Sequence, residues 1–298
     1  MDSTHTRSLA LVFAAGVLWS TVGLGIRLIQ EADVWQILLY RSMSLMIFLY
    51  IVIRICSSDP PLAQVRHAGL PGVIAALSLV VAYAGGIYAI QATSVANALL
   101  LFAAAPFFAA VLGWCILGER VLIGTWIAIS FAILGIGIMV GGQSFGGSLD
   151  GSLAALGSAL GFATFTVTLR WGKNVEMLPS VFLSGIFGVV ITAAICISVD
   201  LPLVISARDS GISIGMGVFQ VGAGLVLYTL GSRSLPAVEL TLLSLAEVLL
   251  APVWVWLFLG ETATSHTLAG GCILLGAIAG NAIFSPQTKS PSTVRGSR

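Results

Sequence analysis

The chain has 298 residues, 58% of them hydrophobic and only 8% charged, with a mean hydropathy of +1.05. A water-soluble domain carries roughly 25% charged residues, so this chain cannot cover a water-facing surface and reads as an integral membrane protein. Its net charge of +1, with no long Lys/Arg cluster, gives no footing for a nucleic-acid partner.

In chain order, ten apolar segments are long enough to cross about 30 Å of hydrocarbon. They fall at approximately 8–28, 34–54, 69–90, 95–116, 122–140, 150–170, 180–199, 211–230, 236–258 and 266–284. All ten are read as α-helices, which makes the expected fold an all-α bundle. The first segment has the look of a signal peptide, because Arg7 precedes an apolar run. However, Trp19 and Arg27 match Phe162 and Arg170 farther along, which keeps it as a mature helix. Connections are short, and residues 285–298 read as a disordered cytoplasmic tail. Cys56, Cys115, Cys196 and Cys272 sit in or beside apolar segments with neither metal-ligand nor disulfide spacing. His5, His67 and His266 fall in the tail or in loops. No metal site and no cofactor is expected.

The chain also repeats itself. The stretch from Tyr88 to Ala128 returns, 140 to 142 positions later, as Tyr228 to Gly270. Each copy opens on a tyrosine and closes its apolar run with Leu-Gly-Glu, at Leu117-Gly118-Glu119 and Leu259-Gly260-Glu261. The halves are taken as 8–140 and 150–284. Five spans per half is an odd number, so the second half enters the membrane from the opposite side, and the repeats are inverted. With the N-terminus in the cytoplasm, ten of the 13 Lys/Arg fall on the cytoplasmic side, Arg27 and Arg208 fall outside, and Arg41 lies within the membrane. That is a positive-inside distribution, with both termini cytoplasmic.

Ten spans in two halves, each with Leu-Gly-Glu after its fourth helix, resemble the drug/metabolite transporter superfamily, and within it the EamA-like bacterial inner-membrane carriers. The matching pieces are Val17-Leu18-Trp19-Ser20, Arg41, Asn97…Pro106…Gly118-Glu119 and Glu239…Glu247…Gly260-Glu261. Members often carry Glu-Pro where this chain has Glu247-Val248; Pro252 is the substitute candidate for a bend in the ninth helix. The resemblance implies a carrier for small metabolites, in a branch that handles amino acids, vitamins, nucleosides and quaternary amines.

Ionisable groups inside a membrane are costly, about 2.5–3.5 kcal/mol on insertion scales, and tend to face a partner or a watery cavity. Arg41 therefore reads as the partner of a solute carboxylate, or of Glu247 when the site is empty. The plain alternative is a fixed Arg–Glu pair that orients the bundle. Glu247 is a candidate proton carrier, if burial raises its pKa, or a structural carboxylate. Glu239, near the interface, reads as a solvated partner of Arg233. With an offset of 142, Asn97 matches Glu239 and Ala105 matches Glu247. Trp19 and Phe162 match across the halves and are candidate cavity walls, as are Tyr83 and Phe102, each with core packing as the alternative. Gln220, mid-way along the eighth helix, can bond to solute or to a neighbouring helix. Pro106 is expected to kink the fourth helix, as a static bend or a gate. Glu119 and Glu261 are expected to cap or pin the turns that follow helices four and nine. GxxxG pairs at Gly157/Gly161, Gly211/Gly215 and Gly276/Gly280 leave a homodimer open.

No GxxxxGK[ST], GxSxG or HExxH sequence is present. The expectation is thus a secondary transporter working by alternating access, driven by the solute gradient or by a coupled ion such as the proton. Amino-acid or related metabolite export is the first reading and riboflavin-like vitamin uptake the second. A membrane enzyme and a non-transporting partner subunit are the rivals from other classes.

Overall fold

A computed structural model describes residues 3–57, 60–141, 148–172, 177–232, 235 and 237–284. Ten helical spans run through it: α1 His5–Leu28, α2 Val34–Cys56, α3 Pro61–Ala92, α4 Val95–Leu117, α5 Ile123–Gly141, α6 Leu149–Trp171, α7 Met177–Ser198, α8 Ala207–Ser232, α9 Ala237–Leu259 and α10 Ser265–Phe284. No strand occurs among the described residues. Each apolar segment of the sequence falls on one of these helices. The expected tail at 285–298, and Arg233 as partner of Glu239, lie outside the described residues. Glu239 instead stands 3.5 Å from His5 Nε2.

Local sequence sets the helix ends. Asp33 caps α2 with a capping box, accepting from Trp35 N while Gln36 Oε1 accepts from Asp33 N at 2.8 Å. Ser94, Ser148 and Ser206 offer side-chain oxygens at the starts of α4, α6 and α8. Gly118 and Gly260 end α4 and α9 with φ of 66° and 69°, the left-handed cap that glycine adopts without strain. This is the physical content of Leu-Gly-Glu: glycine stops the helix and the glutamate leaves it at a fixed angle.

Several spans are interrupted. α1 breaks at Thr21, α3 bends at Gly69, and α4 breaks at Ala103–Ala104, two residues before Pro106. Pro106 has no N–H to return to the Phe102 carbonyl, so an unbroken helix would leave that group without its bond. α9 runs unbroken through Pro252. α8 changes pitch, from α-helix over Ala207–Gly215 to π-helix over Met216–Ala223 and back to α-helix over Gly224–Ser232.

The most extensive helix packing joins the two halves. α3 lies along α6, and the matched α8 lies along α1. In the same way α4 on α6 corresponds to α9 on α1, and α3 on α7 to α8 on α2. The contacts α2–α7, α4–α9 and α5–α10 each join a helix to its own counterpart. Exchanging the halves leaves this set of pairings unchanged, as a pseudo-two-fold axis in the membrane plane requires. Outside, Ile55, Val81, Ile133, Val190, Trp256 and Phe284 form part of a broad apolar surface suited to lipid.

Candidate functional site

Arg41 lies in the second turn of α2, on a helix whose start is fixed by the Asp33 box. Its residue exposure is 5%, and its guanidinium carbon stands 4.6 Å above the ring of Tyr83 on α3. That cation–π contact covers one face of the guanidinium. Its Nε is buried without an acceptor, and among the described residues it forms no ion pair with Glu247.

The π segment of α8 backs this position. A Cβ at Gly217 would run into Ser44 Oγ and the Arg41 carbonyl, so only glycine lets α8 approach α2 here. Ser44 Oγ itself donates to the Arg41 carbonyl at 3.0 Å. Gln220 follows within the same π segment, 8% exposed, with Oε1 buried and no donor facing it. Gly224 then meets the indole of Trp19 on α1, whose ring lies 5.3 Å from that of Tyr228. One turn back on α1, Gly16 lies against the backbone of Leu243 and Glu247 on α9. Trp254 Nε1 closes this α1–α9 contact by donating to Ser20 Oγ at 2.8 Å. Glycines of α8 and α1 thus bring α2, α8, α1 and α9 into successive close contact, at the Arg41 carbonyl, the Trp19 indole and the Glu247 backbone. π-helical insertions of this kind concentrate at functional sites.

The remaining candidates fall elsewhere. Phe102 and Phe162 pair at 5.6 Å, and Phe162 also meets Phe165 at 5.9 Å, on the α4–α6 contact. Trp19 and Phe162, matched in sequence, therefore belong to separate aromatic clusters. Asn97 is fully buried; its Nδ2 donates to Ser152 Oγ at 3.0 Å and to Thr93 Oγ1 at 3.3 Å, tying α4 to α6. Its Oδ1 has no donor. Pro106 is exposed. Pro252 lines a surface groove of about 260 Å³ with Val95, Ala96 and Trp256. Of the GxxxG glycines, Gly161 packs against Ser78 and Ala82 of α3, while a Cβ added at Gly157, Gly211, Gly215, Gly276 or Gly280 would meet nothing within 4 Å.

Glu119 and Glu261 lie on opposite faces of the bundle, and each reaches an arginine of the other half. Arg27 Nε donates to Glu261 Oε2 at 2.9 Å. Arg170 Nη1 donates to Glu119 Oε2 at 2.7 Å. Arg27 and Arg170 are themselves the repeat-matched pair, so one interaction recurs on both faces with the halves exchanged. On the Glu261 face it has further partners: Arg27 Nη2 donates to the Thr93 carbonyl at 2.7 Å, and Val95 N donates to Glu261 Oε1 at 2.7 Å. On the Glu119 face, a Cβ at Gly113 would strike Glu119 Oε2, so that glycine makes room for the pair.

Sequence reasoning gave no role to Asp209. It is fully buried near the start of α8 and takes three backbone amides of the α1–α2 connection. Gln30 N donates to Oδ1 at 3.2 Å, while Glu31 N and Ala32 N donate to Oδ2 at 3.0 and 3.2 Å. Gln91 Nε2 donates to the Ala32 carbonyl and Gln36 Nε2 to the Pro202 carbonyl, at 3.3 and 2.6 Å, on the same face. The sequence signal was limited to Ser206-x-x-Asp209, which marks a helix start and says nothing of the loop it holds.

The EamA-like transporter family matches this chain twice, over residues 6–141 and 149–283. Solute carrier family 35 member G1 of Homo sapiens is 25% identical over 285 residues, covering 89% of this chain and 76% of that protein. The uncharacterized transporter YwfM of Bacillus subtilis (strain 168) is 25% identical over 191 residues, 63% of this chain and 64% of its own length. An uncharacterized transporter of Archaeoglobus fulgidus is 28% identical over 196 residues, 64% of this chain and 68% of that one. A solved protein structure shares the fold with a TM-score of 0.62 at 18% identity, over 96% of this chain and 99% of that chain.

Proposed function

We propose that this chain, which belongs to the EamA-like transporter family, is a secondary carrier that moves a small metabolite by alternating access. The observation that carries the mechanism is the pair of crossed ion pairs, Arg27–Glu261 on one face and Arg170–Glu119 on the other. Each joins the two halves at the point where one half would have to part from the other. In an inverted repeat the two halves can exchange conformations, and that exchange turns an opening on one face into an opening on the other. Arg41, Gln220, Trp19 and Glu247, carried on helices that pack successively against one another, form the proposed solute site. The positive-inside distribution supports a cytoplasmic Glu119 face and an outer Glu261 face in a bacterial inner membrane.

Amino-acid or related metabolite export is the cargo and direction we propose, with Glu247 as the group for a coupled proton. A planar vitamin taken up from outside is the second reading, favoured by the Trp19–Tyr228 ring pair. Counterflow in proteoliposomes tests both. Vesicles holding the purified full chain are loaded with unlabelled amino acids, flavins or quaternary amines and offered the labelled solute, with and without a pH gradient. Saturable exchange of amino acids that follows the pH gradient is the expected result. Exchange of flavins alone would replace the first reading by the second, and exchange of none of the three classes would count against the cargo readings. Exchange indifferent to the pH gradient would remove the proton from Glu247.

A further inference from the structure

Between the first turns of α5 and the last turns of α10 runs an apolar groove of about 290 Å³. It is lined by Gly124, Ile127 and Phe131 on one side and by Gly276, Gly280 and Phe284 on the other. A Cβ at any of the three glycines would meet nothing within 4 Å, so no described side chain fills the space. Ile127, Phe131 and Phe284 are exposed. At 1.5 Å per residue the lined stretches run about 10 to 12 Å, most of the roughly 15 Å depth of one hydrocarbon leaflet. Because α5 follows the Glu119 turn, the groove lies in the leaflet on the Glu119 face.

Hydrocarbon alone gives no reason to prefer this groove to bulk lipid, since lipid tails are as apolar as leucine. A lasting occupant needs a polar anchor at headgroup level. Arg120, exposed in the turn that leads into α5, supplies one. It takes part in no ion pair among the described residues, Glu119 beside it being held by Arg170. Trp114 and Trp126 flank this turn in sequence, both exposed, with their rings edge to face at 5.6 Å. Exposed tryptophans collect at the membrane–water boundary, which puts Arg120 at the level of lipid phosphates. The sequence after Phe284 adds Lys289, Arg295 and Arg298 and no acidic residue. The groove of about 260 Å³ on the Glu261 face is the contrast: its lining holds the Glu261 carboxylate and no lysine or arginine. Charge therefore separates two grooves of similar size. A two-fold dimer through the α5–α10 groove would bring two such basic edges together.

We propose that the α5–α10 groove binds an anionic phospholipid of the leaflet on the Glu119 face. One acyl chain lies over Gly276 and Gly280, and the phosphate sits on the guanidinium of Arg120, whose planar fork matches phosphate oxygens. This site is separate from the proposed solute site and holds whatever the chain carries.

Native mass spectrometry of the full chain tests it. The protein in detergent is titrated with dioleoyl phosphatidylglycerol or with dioleoyl phosphatidylcholine, and retained lipids are counted per chain. One tightly held phosphatidylglycerol is expected, with phosphatidylcholine weaker. Gly276→Leu combined with Gly280→Leu fills open space, so the lipid-free unfolding midpoint should stay near that of wild type while the tight adduct is lost. Arg120→Gln should weaken the adduct about 5-fold, the effect of one arginine at an anionic surface, and bring the two lipids closer together. Arg120 is exposed, so this variant carries the test if the leucine pair does not fold. The inference is overturned if phosphatidylcholine binds as tightly as phosphatidylglycerol, or if the tight adduct survives either variant unchanged. It is overturned equally if the wild-type chain appears as a dimer that the leucine pair dissociates, since a second copy would then occupy the groove.

Discussion

On the Glu261 face, the crossed ion pair is one member of a wider set of bonds, whereas on the Glu119 face its counterpart stands nearly alone among the described residues. Arg27 and Glu261 have side-chain exposures of 27% and 25%, and both also bond to the α3–α4 turn. Arg170 and Glu119 are at 43% and 40%, with a single long contact from Arg170 Nη2 to the Ala109 carbonyl at 3.4 Å. Asp209 adds to the first face a second fastening that joins α8 to the α1–α2 connection. The two halves share one motif, yet its energetic weight depends on what surrounds it. A charge pair in water is worth little, while one that is partly desolvated and bonded to backbone is worth more. Among the described residues the Glu261 face is therefore fastened by more bonds than the Glu119 face.

The largest way to break this contrast is Asp209→Ala. It leaves three amides of residues 30–32 without their acceptor and should cost about 2–3 kcal/mol. The loss is read as a fall in the thermal unfolding midpoint, and Asp209→Asn should recover part of it. A smaller effect is expected from the Glu261 pair. A double-mutant cycle with Arg27→Ala and Glu261→Ala should return a coupling of about 1–2 kcal/mol, little changed by salt. The same cycle on Arg170 and Glu119 should give about 0.5 kcal/mol or less, and most of that should vanish in high salt. Equal couplings on the two faces would erase the comparison, and a stronger Glu119 pair would reverse it.

Much of this was legible beforehand. The ten spans, the repeat and the αL glycines of Leu-Gly-Glu follow from apolar length, self-similarity and a single residue's freedom at positive φ. Even the four residues of the crossed pairs were visible, since Arg27 matches Arg170 and Glu119 matches Glu261. Their pairing was not, because it depends on how the halves interleave, and a repeat gives equivalence without contact. The glutamates were expected to cap or pin the turns that follow helices four and nine; each side chain reaches an arginine of the other half. Asp209 was illegible for a different reason: its partners are backbone amides, which every residue carries. The π segment left only a richness in glycine at Gly215, Gly217, Gly222 and Gly224, shared with much of this chain. Arg41 was read as a solute partner or a partner of Glu247, and the structure places its guanidinium over Tyr83, a contact no spacing rule anticipates.

The proposed alternating access requires the halves to part on the Glu261 face during each cycle. Cysteines replacing Arg27 and Glu261, in a chain whose Cys56, Cys115, Cys196 and Cys272 are changed to serine, allow that face to be tied by a short cleavable thiol crosslinker. Counterflow of the amino acid that the wild-type chain exchanges is then measured in proteoliposomes before crosslinking, after it, and after cleavage with reductant. Exchange is expected to stop when the face is tied and to return when the tie is cut, with each single-cysteine chain unaffected by the reagent. Exchange that continues at the untied rate through a crosslinked Glu261 face would contradict it.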